Sequence, residues 1–285
     1  MTAGAAEAAR EAYLEACELE LRAFKPGNVS IHSEGHGMSV ADFRRSAEAS
    51  APFLCDDSLS LGEKVYFAIE ATWNAVGCNT NLGIVLLAAP LIRAFEIKTA
   101  AESFREALGK VLAGTSRADA EGVYRAIRLA RPGGLGTVAE QDVRAAPEVT
   151  LLEAMRLAEG RDRVAFQYAH CFADVFEYAI PRYHTARSRW RDPEWAALAV
   201  FVGLLSRFSD SHVERKFGTR HSRRVAGRMA EIEATLTVSE TPQQAMPLLR
   251  EVDSEFKALG INPGTTADLT VACLLAVGLM ARLEG

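Results

Sequence analysis

A chain of 285 residues with 49% hydrophobic and 24% charged residues can bury a large core, and with Gly 21 and Pro 10 spread along it neither a disordered nor a collagen-like chain fits. The formal net charge of -5 gives no overall electrostatic reason to bind nucleic acid or an anionic membrane, so any basic site must be local. The longest apolar stretches, Leu82 to Phe95 and Leu269 to Met280, fall short of the roughly 18 to 20 residues of a bilayer span, and Met1 to Arg10 lacks the pattern of a secretory signal, so the expectation is a cytoplasmic chain.

Apolar residues recur at steps of three and four, and period-two runs of β-branched residues are nearly absent, which predicts an all-α chain: one large helical domain, residues 1–285, of about a dozen helices. Ala3 to Phe24 is rich in Ala and Glu, places Tyr13, Cys17 and Leu21 on one face, and stops at Pro26-Gly27. A loop, Asn28 to Met38, precedes a helix that starts at Ser39 with Asp42 three residues on and ends near Pro52. Further helices are predicted for Leu61 to Val76, Leu82 to Phe95, Ala100 to Ala113, Arg117 to Leu129, Thr150 to Glu159 and Asp162 to Tyr178. Glu194 to Phe208, Thr219 to Leu236, Pro242 to Leu259 and Thr266 to Leu283 complete the set. Arg131 to Pro147 has no helical pattern, and a segment of that length reads as a mobile lid or a boundary between two helical halves. Cys17, Cys55, Cys78, Cys171 and Cys273 are far apart, contain no CxxC pair, and read as inert buried thiols.

Four segments concentrate polar chemistry. Glu18 and Glu20 precede Lys25-Pro26-Gly27-Asn28, and His32, Glu34 and His36 follow; the two histidines have the i, i+4 spacing of a metal pair, but Gly35 and Gly37 oppose a helix there. Asn79-Thr80-Asn81-Leu82-Gly83 opens an apolar helix, where a side chain can cap while backbone N–H groups face an anion. Asn262-Pro263-Gly264-Thr265-Thr266-Ala267-Asp268 repeats that design, and two such caps suggest a shared pocket. Asp210, His212, Glu214, Arg215 and Lys216, followed by Arg220, His221, Arg223, Arg224 and Arg228, form the one strongly basic stretch, read either as a solvated face or as a polyphosphate site. No GxxxxGK[ST], GxSxG or HExxH sequence is present, and Gly133, Gly134 and Gly136 lack the lysine of a phosphate-binding loop.

In order along the chain, ELRAFKPGNV, GHGM with DF, NTNLG, DSHVERKFG and NPGTTADL resemble the triphosphoribosyl-dephospho-CoA synthase family, over about Ala16 to Leu283. The resemblance implies that ATP donates a triphosphoribosyl group, adenine leaves C1′, and the 2′-hydroxyl of dephospho-CoA attacks. It implies roles for Lys25, Gly27 and Asn28, for Asn79, Thr80 and Gly83, for Asp210 and Arg215, and for Pro263, Gly264, Ala267 and Asp268. Ser30 stands where better-known members carry Asp, and Asn81-Leu82 where they carry His-Lys; this version is more similar to the branch of archaea and of bacteria with methanopterin-type one-carbon metabolism, whose acceptor can differ.

For that chemistry, Glu20, Asp210 and Asp268 are the candidates to stabilise oxocarbenium character or deprotonate the acceptor, and His36 or His212 to protonate adenine. Lys25, Arg215, Lys216 and Arg220, with Mg²⁺ held at Glu20 and Asp210, are the candidates for the triphosphate, helped by N–H donors near Thr80, Asn81, Gly83 and Thr265. The expected partners are ATP and dephospho-CoA or another cofactor precursor, with a homodimer left open. Phosphoryl transfer on a pterin-pathway intermediate and a non-catalytic helical binding protein are the alternatives.

Overall fold

The computed structural model describes residues 3–35, 37–133 and 141–284. His36, Gly134, Gly136 and the middle of the expected lid lie outside the described residues. The helices are α1 (Ala3–Arg22), α2 (Val40–Leu54), α3 (Leu61–Val76), α4 (Leu82–Ile97), α5 (Phe104–Ala113), α6 (Arg117–Ala130), α7 (Leu151–Ala158), α8 (Arg163–Ala169), α9 (Ile180–Trp190), α10 (Pro193–Arg207), α11 (Ser211–Phe217), α12 (Ser222–Val238), α13 (Met246–Ala258) and α14 (Gly264–Glu284). With a π-helix at Asp174–Ala179 and short 3-10 turns at Gly218–Arg220 and Pro242–Ala245, and with only isolated bridges among the described residues, the class is all-α as predicted.

The chain divides into two compact units, one made of Met1–Cys17, Ala41–Ala173 and Leu275–Gly285, the other of Glu18–Val40 and Asp174–Leu274. In the first unit, four helices start with reciprocal capping boxes: Ser60 with Glu63, Ser103 with Glu106, Ser116 with Asp119, and Thr150 with Glu153. Each pairs two of the backbone N–H groups that a helix start leaves without partners. Helices α3 and α6 meet at glycines, since a Cβ on Gly62 would lie 2.5 Å from the Asp119 Cα and one on Gly122 2.5 Å from the Gly62 carbonyl oxygen. Asp119 also accepts from the Gly62 N–H at 2.8 Å.

Pro90 sits inside α4 and has no N–H to give the Leu86 carbonyl. The buried Tyr168 hydroxyl donates to that carbonyl at 2.6 Å instead. Lys64, also fully buried, pairs with Glu96 at 2.8 Å and donates to the Leu54 carbonyl at the end of α2 at 2.9 Å. Gln141 to Val143 is tied to α6, with the Tyr124 hydroxyl on the Gln141 carbonyl at 3.0 Å and Arg128 on the Val143 carbonyl at 2.6 Å.

The second unit packs Phe24, Phe201, Leu205, Val213, Met229, Ile232, Leu249, Phe256 and Ile261 into one core around α10. The single helix expected from Asp162 to Tyr178 is broken: Cys171 (φ 47) and Phe172 (φ 55) take the left-handed conformation, and a π-helix follows. Helix α9, absent from the sequence reading, comes next. Its sequence is largely polar, but Ile180, Tyr183 and Ala186 are buried at three-residue spacing.

Helix α14 corrects the expectation that no segment has the length of a membrane span. It is 21 residues and apolar enough to cross a bilayer by length and composition, because the helix continues beyond Met280 and begins before Leu269; 61% of its most apolar window is buried inside the protein, as in a core helix.

Candidate functional site

Three of the four polar segments meet within the second unit. The Lys25-Pro26-Gly27-Asn28 turn leaves α1 and folds back, with the Ile31 N–H on the Leu21 carbonyl at 2.9 Å and Ser30 and Ser33 exchanging backbone bonds at 3.0 and 3.1 Å. Gly27 needs to be glycine on two counts: its φ is +82, and a Cβ there would lie 2.9 Å from the Phe256 Cβ. Its N–H donates to Asp253 Oδ1 on α13 at 2.9 Å, and Asn28 Nδ2 donates to Asn262 Oδ1 at 2.7 Å, joining the first segment to the last.

Lys25, expected to contact phosphate, is fully buried. An ammonium has three N–H bonds, and three protein acceptors surround this one: the Glu20 carbonyl at 2.8 Å, the Val29 carbonyl at 2.8 Å and the Glu20 carboxylate at 3.0 Å. Burial pushes the Glu20 carboxyl up and the Lys25 ammonium down, each opposed by the other's charge. Glu20, expected as a metal ligand or catalytic carboxylate, is 4% exposed and held by Lys25 through Oε1.

Asp210, expected as a catalytic carboxylate and metal ligand, is also buried and bonded within the protein. Oδ1 caps α11 by accepting from the His212 and Val213 N–H groups at 2.9 and 3.1 Å, and Oδ2 accepts from the Thr266 N–H and hydroxyl, both at 2.8 Å. A carboxylate offers about four lone-pair positions, and the protein's own donors fill all four. Burial pushes the carboxyl up from the ordinary aspartate value, against the pull of the Thr266 and Val213 donors. The α14 start is consequently not an open anion cradle at Thr266, because the chain's own Asp210 already sits there. Thr265, also expected to help there, accepts from the His212 N–H through its hydroxyl at 3.2 Å.

His212 itself is half-buried with its ring against Gly264, where a Cβ would approach Nδ1 to 3.1 Å. Pro263 is buried and accepts the Ala267 N–H at 3.1 Å, starting the helix, and Asp268 is half-buried within the second turn. Lys216 is exposed, donates to the Gly260 carbonyl at 3.1 Å and lies 5.0 Å above the Phe217 ring. Arg215 is half-buried and Arg220 exposed. Further along the basic stretch, Arg224 and Arg228 pair with Glu255 at 3.4 and 2.9 Å, which makes that part a neutralised helix face.

Sequence reasoning missed a second carboxylate. Asp253 Oδ2 accepts from the Ser33 hydroxyl at 2.6 Å and pairs with Lys257 at 3.3 Å, while Lys257 also donates to Ser33. The His32–His36 metal pair is not supported by His32, whose Nε2 bonds the Arg22 carbonyl at 3.1 Å; His36 lies outside the described residues. Among the described residues no three His, Cys, Asp or Glu side chains converge to hold a metal.

The Asn79-Gly83 cap belongs to the first unit. Asn79 Oδ1 caps α4 by accepting from the Leu82 N–H at 3.2 Å, and Gly83 is half-buried in its first turn. The Thr80 hydroxyl donates to Ser46 at 2.6 Å, and Asn81 Nδ2 reaches the Ser46 carbonyl and the Ser50 hydroxyl at 3.4 Å, so both are buried against α2 and neither caps the helix.

The family model described as ATP:dephospho-CoA triphosphoribosyl transferase matches residues 6–285. No curated protein sequence matches the chain significantly. A crystal structure of an Archaeoglobus fulgidus protein, provisionally named a triphosphoribosyl-dephospho-CoA synthase, is similar in fold with a TM-score of 0.64; at 22% identity the match covers 82% of this chain and 97% of that one. With the ordered segments folded as described and the family model matched from residue 6 to residue 285, the chain belongs to the ATP:dephospho-CoA triphosphoribosyl transferase family, and it is a transferase that takes its group from ATP.

Proposed function

We propose that the joined segments of the second unit carry the transfer of the triphosphoribosyl group from ATP to the 2′-hydroxyl of dephospho-CoA. The observation that supports this reading is the convergence of Asn28 with Asn262 and of Asp210 and His212 with Thr266 and Thr265. The C1′–N bond to adenine breaks, oxocarbenium character builds on the ribose, and the acceptor oxygen bonds to C1′ as its proton passes to the Asp268 carboxylate. Asp268 is the carboxylate assigned to the developing positive charge, and the His212 imidazole is assigned the proton that adenine takes on leaving. Arg215, Lys216 and Arg220 supply the cations for the triphosphate. Asp210 acts by holding α11 against the α14 start.

Asp210 does not fit a resident Mg²⁺, since both of its oxygens are engaged by the protein, and Glu20 has Oε1 on Lys25. The divalent cation belongs to the MgATP substrate, and no step is assigned to a protein-held metal. The matched family transfers to dephospho-CoA, so dephospho-CoA rather than a methanopterin-type intermediate is the acceptor we assign. An enzyme that consumes ATP and dephospho-CoA works where both are made, and we place it in the cytoplasm.

The test is chromatography of nucleotide products from ATP, Mg²⁺ and dephospho-CoA. One adenine released per acceptor consumed is the expected result. ADP or AMP without adenine overturns the reading in favour of phosphoryl or adenylyl chemistry. Asp268→Asn and His212→Ala are each expected to lower kcat by about 10²-fold or more with the fold retained.

A further inference from the structure

We propose that Asp253, on α13, is a positioning residue of this site: through Ser33 and Lys257 it clamps the glycine-containing loop that carries Gly27 and Asn28. The proposal rests on the reading that this loop is part of the transfer site.

Val29 and Ser30 are buried, each 1% exposed, but the stretch beyond them is held by directional bonds. Ile31 is 46% exposed and His32 and Glu34 are exposed, so this stretch buries little that would fix its place. Asp253 fixes two separated points of it, the Gly27 N–H at 2.9 Å and the Ser33 hydroxyl at 2.6 Å. Lys257, one turn on along α13, pairs with the same carboxylate at 3.3 Å and donates to Ser33. Its stem runs under Gly35, where a Cβ would come to 3.3 Å from Cε. The three side chains form a closed set in which each touches the other two.

A carboxylate 8% exposed on the buried side of a helix carries a desolvation penalty that a leucine there would not, and besides its pair with Lys257 on the same helix its bonds reach the loop. Asn28, between the clamped points, is fixed to Asn262 at the α14 start. Losing the clamp lets the loop drift while the core of Phe256, Val252 and Leu249 stays packed. A misplacement on the order of 1 Å at a reacting centre can cost up to about 10²-fold in rate.

The test compares Ser33→Ala, Ser33→Thr, Asp253→Asn and the Ser33→Ala/Asp253→Asn pair. Measurements are adenine release, steady-state constants for ATP and dephospho-CoA, thermal midpoints, and amide exchange of Gly27 and Ile31. Ser33→Ala and Asp253→Asn are each expected to lower kcat/KM for ATP by about tenfold or more, leaving the KM for dephospho-CoA unchanged. Ser33→Thr, which keeps the hydroxyl, is expected to return most of the loss, and the losses of Ser33→Ala and Asp253→Asn to be less than additive in the double variant because they share the Ser33–Asp253 bond. A folded Ser33→Ala enzyme within about twofold of wild type, a Ser33→Thr variant as impaired as Ser33→Ala, or losses that add in the double variant would overturn the clamp. If wild-type protein releases no adenine, the functional reading fails and amide exchange decides the clamp alone: faster exchange at Gly27 in Ser33→Ala supports it, and unchanged exchange overturns it.

Discussion

Asp210 accepts four hydrogen bonds with two oxygens and still has its carboxyl pushed above the ordinary aspartate value by burial. Its acid form is thus favoured in the folded protein relative to the unfolded chain. The stability it contributes is complete below the ordinary aspartate pKa and is lost as pH rises through the raised folded value. Asp210→Asn cannot ionise and lacks this dependence. The thermal-midpoint advantage of wild type over Asp210→Asn is therefore expected to be largest near about pH 4 and to shrink toward neutrality; a gap that widens with pH would mean that the ionised carboxylate is the stabilising form. Tyr168→Phe is a second test at this scale. It leaves the Leu86 carbonyl, already without a helix donor because of Pro90, buried and unbonded, and should cost about 1–3 kcal/mol in urea unfolding. The residue scale is also where the sequence was hardest to read. A lysine before Pro-Gly looks like an exposed loop cation, and nothing local reveals that three oxygens enclose Lys25. Asp253 lies 220 residues from Ser33 in an ordinary amphipathic pattern, so its partners exist only once the chain has folded.

Helices were legible where local chemistry punctuates them. Leu61–Val76 was read to the residue, because Ser60 and Glu63 form a capping box and Gly77 ends the helix at φ 70. The motif order was equally legible, since each segment opens or closes a helix. The break after Ala169 was not, because the left-handed Cys171 and Phe172 are neither glycine nor asparagine. Glycines test what packing asks of an element. Gly62→Ala puts a Cβ 2.5 Å from the backbone of α6, forcing α3 away, and is expected to destabilise by about 1–3 kcal/mol. Gly227→Ala, within α12 with nothing inside 4 Å of the added Cβ, is expected instead to stabilise by roughly 0.5–1 kcal/mol. Denaturant midpoints of the two variants should move in opposite directions from wild type.

Across the whole molecule, the five cysteines report on packing without any probe being built in. Cys17, Cys55 and Cys273 are buried, and burial pushes the Cys55 thiol up to about 12, far from the thiolate form that alkylating reagents need. Cys78 and Cys171 are half-buried. Iodoacetamide on native protein is expected to label only Cys78 and Cys171, and all five after denaturation, as read by mass spectrometry of peptides; early labelling of Cys55 would contradict its packing. The first compact unit has a consequence for how the protein is made. It is assembled from three stretches of sequence, and the last of them, beginning at Leu275, is supplied by the second half of α14. On the ribosome, the unit whose bulk is translated first must therefore wait for this third stretch, so α2 to α8 emerge with their apolar surface incompletely covered until α14 has been made.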